Sequence, residues 1–238
     1  DHAANQKAQT ISYAVDSTEE KIEKARYVHN NLWFPRELSH DRNGAIKFKK
    51  PHFSSFFTTT ARNVHAGRSF TFAHVHLSEV PMWEHPDETA NSLLQTVPDS
   101  AGTSVVMEFT ARGAQGYAYE TWCDAVDGKN DFVPFFAPWF WDPEYSTPFE
   151  TDEARANFAA KQTAADGAFQ RDHGLTLEQM NWWAWCLRNK CSGSESKRKQ
   201  EYPSNAEEAF LMSGSPVFER VDELDRLQRA CKAPMRRG

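Results

Sequence analysis

The fold class follows from two stretches of sequence, residues 70–79, Phe-Thr-Phe-Ala-His-Val-His-Leu-Ser-Glu, and residues 103–109, Thr-Ser-Val-Val-Met-Glu-Phe. Both stretches are rich in the β-branched and aromatic residues that are typical of strands, and the first ends on two polar residues, Ser78 and Glu79. Between the two stretches, the sequence from Thr89 to Val97 predicts a helix. The order strand, helix, strand predicts a parallel α/β unit.

The flanking sequence extends this pattern in both directions. Alternation of Ile11, Tyr13 and Val15 with polar residues predicts a short strand. A capping box at Ser17 and Glu20 predicts that a helix follows from Thr18 to about Asn31. Residues 46–60 predict a β-hairpin. After Gly128 the composition changes to proline and aromatic residues, which indicates a boundary, and the rest of the chain is mainly helical, with predicted helices over 151–172, from Thr176 and over 204–211.

Composition excludes several classes of protein. The 238 residues include 27 Lys and Arg against 33 Asp and Glu, a net charge of −6, which is not the basic footprint of an autonomous nucleic-acid binder. Four cysteines without a C-x-x-C pair are too few for a disulfide scaffold and favour a reduced, intracellular setting. The longest apolar stretch, residues 132–141, is broken by two prolines, so we expect neither a membrane span nor a secretory signal.

The most informative candidate for chemistry is Glu79. Ligands of open α/β sheets bind outside the carboxyl ends of the strands, which is where the pattern places this carboxylate. A carboxylate in that position can polarise a water for attack on a phosphoryl group. An acidic residue after a strand is also a common solvated turn residue, so Glu79 alone does not decide the function.

Three other features allow a functional and a structural interpretation. His74 and His76 lie two apart on a strand and therefore face the same side, as metal ligands of a hydrolase or as ordinary strand residues. The tryptophans near residue 183 can stack on bases or form a core. The short basic runs near residues 49 and 198 can contact phosphates or only water.

The ordered set of motifs resembles the large subunit of phage terminases, the DNA-packaging motors. The strand ending in Ser78 and Glu79 before Val80-Pro81-Met82-Trp83 is similar to the family's Walker B strand, and residues 105–113 are similar to its coupling motif. Further landmarks follow in the family's order. They are Gly116–Trp122, Pro138–Tyr145, Gln200–Ser204, Glu207–Phe210 and Ser213–Phe218.

The resemblance implies an α/β fold of P-loop NTPase (ASCE) type, N-terminally incomplete, with a mostly helical linker subdomain after it. Residues 1–128 would be part of the ATPase core and residues 129–238 the linker leading toward a nuclease domain. ATP and Mg²⁺ would be the cofactors. Double-stranded DNA, the portal protein, the small terminase subunit and further copies in a ring would be the partners, in the host cytoplasm at the procapsid portal.

The resemblance also implies roles for single residues. Glu79 would activate the hydrolytic water, and Ser78 would stand at the family's position for the acid that holds Mg²⁺. Thr110, Ala111 and Arg112 would sense the γ-phosphate, although the family has Asn where this chain has Arg112. Arg68 precedes the Walker B strand and would reach a neighbouring subunit's γ-phosphate, or else is a surface arginine in a turn.

One motif of the family does not occur in this sequence. The phosphate-binding loop G-x-x-x-x-G-K-[ST] is missing, because the single Gly-Lys pair, Gly128-Lys129, has Cys123 five residues earlier and is followed by Asn130. The chain therefore resembles the middle of a terminase without the Walker A segment and the nuclease domain. We expect the isolated chain to bind ATP weakly and to hydrolyse it at background rate. The alternative is a non-catalytic, terminase-derived module that binds partner subunits or DNA.

Overall fold

The computed structural model describes residues 4–42, 44–62 and 69–212. The chain divides into two compact units, one formed by Asp1–Ala111 with Gln115–Phe132, the other by Arg112–Ala114 with Val133–Gly238. Within the described ranges, no helix is both long and apolar enough to cross a membrane.

The first unit is a mixed α/β structure, which confirms the predicted α/β class. Its strands and helices are, in chain order, β1 (Lys7–Ser12), α1 (Val15–Asn30), β2 (Leu38–Arg42), β3 (Ala45–Phe48), β4 (Ser55–Thr60), β5 (His74–Ser78), α2 (Pro86–Leu94), β6 (Ser104–Glu108) and α3 (Tyr117–Val126).

The six strands form one sheet in the order β2-β3-β4-β1-β5-β6. The strands β4, β1, β5 and β6 run parallel, and β3 and β2 extend the sheet through the antiparallel pairs β3–β4 and β2–β3. The predicted hairpin is β3 with β4, and the predicted parallel unit is β5 with β6, so both predictions are confirmed. The register aligns the ends of β5 and β6, because Ser78 pairs with Glu108.

The two faces of the sheet are covered differently. The connection that begins with α1 leads from β1 to β4, and the connection through α2 leads from β5 to β6, in opposite directions along the sheet. Because such crossovers are right-handed, α1 and α2 lie on opposite faces. The main core lies on the α2 side, where Ile11 and Leu77 of the strands are fully buried in one cluster with Ala90 and Leu93 of α2. Thr10, His76 and Ser78 alternate with those strand residues and occupy the α1 side.

The start of α1 corrects two predictions. The helix begins at Val15, and β1 ends at Ser12, so the predicted strand lies about three residues too far along the chain. No capping box forms at Ser17, because this residue already lies inside the helix and the N-cap is Ala14. The hydroxyl of Thr18, which is buried, donates instead to the Val15 carbonyl at 2.6 Å.

The described part of the second unit is mostly helical, as predicted. The predicted helix over 151–172 is interrupted at Gln162, where the backbone is extended, and restarts with a capping box formed by Thr163 and Asp166. The capping box predicted at Thr176 and Gln179 is confirmed. The helices are α4 (Asp152–Lys161), α5 (Ala164–His173), α6 (Leu177–Asn189), α7 (Glu195–Glu201) and α8 (Ala206–Met212).

Stacked tryptophans form the core of the second unit. The Trp139 ring stacks on Trp183 with centroids 4.7 Å apart and on Trp182 at 5.2 Å, and all three are buried. The interpretation of these tryptophans as core rather than a base-stacking surface is therefore confirmed for Trp182 and Trp183. Arg198 does not belong to an exposed basic patch, because it is buried with its guanidinium 3.8 Å from the Trp183 ring centroid.

This stack yields a stability prediction. We expect Trp139→Ala to lower the free energy of unfolding by about 3–5 kcal/mol, the usual cost of removing a buried large aromatic side chain. Trp141→Ala is the matched control, because Trp141 lies two residues away and is 59% exposed. Urea unfolding followed by circular dichroism measures both variants, and equal losses for the two would contradict the assignment of Trp139 to the core.

Candidate functional site

The sheet has a topological switch point between β1 and β5. These strands are neighbours, and the connection that follows each leads away from the other, to β4 and to β6. In open α/β sheets, ligands bind outside the carboxyl ends of the strands at such a point. The residues at this point are Ser12 at the end of β1 and Ser78 with Glu79 at the end of β5.

Glu79 lies in a turn that the fold holds in a restricted conformation. Its backbone is left-handed, with φ of 57° and ψ of 44°, which non-glycine residues rarely adopt. The Glu79 amide donates to the Glu108 carbonyl at 2.8 Å, which extends the β5–β6 ladder by one bond. On the other side of the turn, the indole of the buried Trp83 donates to the Ser78 carbonyl at 3.0 Å. The turn is thus tied both to the neighbouring strand and to the core.

A polar network joins the ends of three strands beside this turn. The hydroxyl of Ser78, which is fully buried, donates to Glu108 Oε1 at 2.5 Å, and His76 Nε2 lies 3.3 Å from the same oxygen. The other ring nitrogen of His76, Nδ1, lies 3.5 Å from the Thr10 hydroxyl of β1. Two side chains of β5, Ser78 and His76, therefore contact the same Glu108 oxygen and hold it in a defined position.

The environment of Glu108 favours its ionised form. The hydrogen bond with His76 is the largest influence and lowers the pKa of this carboxyl, whereas burial raises it. The hydrogen bond from the Ser78 hydroxyl and the positive charge of Lys21 on α1 lower the pKa further. Glu108 is therefore charged at neutral pH. Its side chain is 46% exposed, so the carboxylate also reaches solvent.

The Glu79 carboxylate lies beside the segment that follows β6. Glu79 Oε2 is 3.5 Å from the backbone amide of Thr110, and the Glu79 residue is partly buried. A carboxylate at the end of a parallel strand is placed to accept a proton from a water bound at this edge of the sheet. The contact also links the position of Glu79 to the conformation of residues 109–111.

Ser12 adds an unusual feature to the switch point. Its residue is fully buried, and its hydroxyl has no hydrogen-bond partner. In the β1–β5 register Ile11 pairs with Leu77, so Ser12 stands beside Ser78 and leaves the sheet on the same face. A buried hydroxyl without a partner carries a free-energy cost, which a ligand at this position would remove.

The oxygen donors at this edge fit Mg²⁺. Carboxylate and hydroxyl oxygens are the ligand types that this ion prefers, and it is usually held by one or two carboxylates together with phosphate oxygens and water. Over the described ranges, no group of three His, Cys, Asp or Glu residues can hold a metal ion, so protein ligands alone do not complete such a site. For ATP the fit is partial, since the sequence contains no phosphate-binding loop.

The structure brings together some of the predicted site residues. Ser78, Glu79 and Thr110 lie at one edge of the sheet. Arg112 falls in the second unit, and Arg68 lies outside the described residues, so the roles of both stay predictions. His74 Nδ1 lies 2.9 Å from the Ser104 hydroxyl, and His76 belongs to the Glu108 network, which gives both histidines structural partners within the sheet.

Two residues of this edge, Glu108 and Ser12, are not among the site residues predicted from the sequence. The signal for Glu108 was present, because two parallel strands that end at the same level place their last residues side by side. Counting the register from Ser78 to Glu108 requires the strand boundaries, which the sequence alone places only within a few residues. Ser12 was not predicted as a strand end, because the predicted strand continued beyond it to Val15.

Comparisons with known proteins were made at three levels. No family model matches the chain, and no curated protein matches it. Among solved structures, the HK97 bacteriophage large terminase is 14% identical with a TM-score of 0.43, over 70% of this chain and 39% of that chain. A large terminase from a thermophilic bacteriophage in complex with ADP is 13% identical with a TM-score of 0.43, over 53% and 31%.

A third structure, the ATPase domain of a Thermus phage large terminase, is 15% identical with a TM-score of 0.34, over 50% of this chain and 52% of that chain. The chain spans 39% of the HK97 structure and 31% of the thermophilic phage structure. These are partial similarities of fold.

The left-handed backbone of Glu79 gives a prediction that needs no ligand. Glu79→Gly and Glu79→Ala both remove the side chain, but only glycine adopts this conformation without a steric cost. We therefore expect the glycine variant to be more stable by about 1 kcal/mol. Glu19→Gly and Glu19→Ala are the matched controls at an exposed residue within α1. There we expect the alanine variant to be the more stable one, because glycine is about 1 kcal/mol less favourable than alanine in a helix. Denaturant unfolding of the four variants measures this, and the same order at both positions would disprove the left-handed turn.

Proposed function

We propose that this chain forms the water-activating part of the ATPase site of a DNA-packaging motor of the terminase large-subunit type. The observation that carries the proposal is the position of Glu79. Its carboxylate lies at the carboxyl end of a parallel strand, at the switch point of the sheet, in a turn fixed by the Glu108 carbonyl and the Trp83 indole. The sequence motifs around Glu79 support the same assignment.

Glu79 acts as the general base in this proposal. It accepts a proton from the attacking water as the new bond to phosphorus forms and the bond to the leaving nucleoside diphosphate breaks. Mg²⁺, when bound with ATP, supplies positive charge to the phosphate oxygens. The restricted turn contributes by holding the carboxylate in one place, since general-base catalysis depends on distance before it depends on pKa.

Thr110 connects the base to the rest of the motor. Its amide neighbours Glu79 Oε2, so a displacement of residues 109–111 changes the surroundings of the base. Thr110, Ala111 and Arg112 then act as sensors of the γ-phosphate, and Ser78 belongs to the nucleotide and cation side of the site. Arg68 reaches the γ-phosphate of a neighbouring copy in a ring.

The phosphate-binding loop of the active site comes from a segment with the Walker A motif, because this sequence does not contain one. The motor assembled in this way acts on double-stranded DNA at the portal protein, together with the small terminase subunit. The missing loop also favours a second candidate, a module of terminase type that binds partner subunits or DNA without hydrolysing ATP. The two candidates differ in whether Glu79 matters for turnover.

Glu79→Gln separates the two candidates. The substitution keeps the size of the side chain and removes the base, so we expect ATP turnover to fall by about 10²–10⁴-fold while ATP affinity is retained. The measurement is steady-state ATP hydrolysis by the chain reconstituted with a segment that carries the phosphate-binding loop.

Glu37→Gln serves as the control, because Glu37 is an exposed carboxylate that precedes β2 at the opposite edge of the sheet. We expect this variant to retain the activity of the unmodified chain. Turnover of Glu79→Gln within a few-fold of that activity would reject Glu79 as the base and favour the non-catalytic module.

A further inference from the structure

The switch point carries a carboxylate that the sequence pattern does not assign to any function. Ser78 occupies the position where the resemblance places a cation-holding acid, and a neutral hydroxyl is a weak ligand for such an ion. In the structure the side chain of Glu108, the last residue of β6, lies against Ser78 at 2.5 Å. The neighbouring strand therefore brings a negative charge to the position at which β5 lacks one.

We propose that Glu108 holds a divalent cation at this switch point, oriented by the Ser78 hydroxyl and the His76 ring. This inference rests on the proposed function for its context, but it concerns a different residue and a different step. Glu79 accepts the proton of the attacking water, and Glu108 binds the cation.

The hydrogen-bond pattern of Ser78 suits this role. A hydroxyl has one proton to donate and two lone pairs to offer. The Ser78 hydroxyl donates its proton to Glu108 Oε1, and this bond orients the carboxylate that would hold the ion. Partners that orient a metal ligand are themselves important for affinity, and their loss typically weakens metal binding about 10–100-fold.

Two further observations point to a ligand at this place. The Ser12 hydroxyl stands beside Ser78 on the same face, is fully buried and lacks a hydrogen-bond partner. Glu108 itself is held on one oxygen by β5 and remains 46% exposed, so its carboxylate is both oriented and accessible from solvent. Lys21 is the positive group nearby on α1, and it reduces the local negative charge. The site is therefore expected to be weak without a nucleotide.

Mn²⁺ is the probe for this site, because it shares the oxygen-ligand preference of Mg²⁺ and is visible by electron paramagnetic resonance. We expect the purified chain to bind one Mn²⁺ with a dissociation constant of about 10⁻⁴–10⁻³ M, as in weak oxygen-ligand sites. Glu108→Gln should weaken this binding at least about tenfold. Glu37→Gln removes an equal charge at the opposite edge of the sheet and should leave it unchanged.

Ser78→Ala is the second variant, and it keeps every carboxylate of the chain. It should also weaken Mn²⁺ binding, and circular dichroism establishes that each variant is folded. The inference is overturned if the unmodified chain shows no saturable Mn²⁺ binding, or if Glu108→Gln and Glu37→Gln bind it equally well, which would mean an adventitious ion only.

The outcome is separate from that of the proposed function. Specific Mn²⁺ binding without any effect of Glu79→Gln on turnover would reject the role of Glu79 and leave the cation site standing. An effect of Glu79→Gln on turnover without specific Mn²⁺ binding would reject the cation site alone.

Discussion

The hydrogen bond between the Ser78 hydroxyl and the Glu108 carboxylate is the interaction on which the candidate site depends. It joins the last residues of two neighbouring parallel strands, one of them fully buried and the other charged and partly exposed. In the same register the Glu79 amide donates to the Glu108 carbonyl. Glu108, at the end of β6, therefore holds both the side chain of Ser78 and the backbone of Glu79. A shift of β6 by one residue would turn Glu108 to the opposite face and remove the site.

The sheet order explains why polar residues gather at this edge. The sheet order brings the carboxyl ends of β1 and β5 together at the switch point, which is where ligands of open α/β sheets bind. The apolar residues of β1 and β5 face α2, whereas Thr10, Ser12, His76 and Ser78 alternate with them on the other face. Because side chains alternate between the two faces of a strand, the apolar core lies on one face of the sheet and the polar candidate-site residues lie on the other.

The sequence predicted the α/β class, the β3–β4 hairpin, the parallel β5–β6 pair and the position of Glu79, because alternation, helix signals and strand ends are local features. It misplaced the end of β1, since Tyr13 and Val15 continue an apolar alternation although the helix starts at Val15. It did not assign Glu108 or Ser12, because their importance comes from strand register between distant segments. The left-handed backbone of Glu79 has no sequence signal, as glutamate is not a residue that favours it.

The most direct test of this account is a double-mutant cycle on Ser78 and Glu108. Unfolding free energies of the unmodified chain, Ser78→Ala, Glu108→Ala and the double variant give the coupling between the two side chains. The account predicts a favourable coupling of about 1–3 kcal/mol, the range for a hydrogen bond between a buried hydroxyl and a charged group. Effects that add to within about 0.5 kcal/mol, as expected for Ser78 paired with the distant Glu37, would contradict the convergence of β5 and β6 on one site.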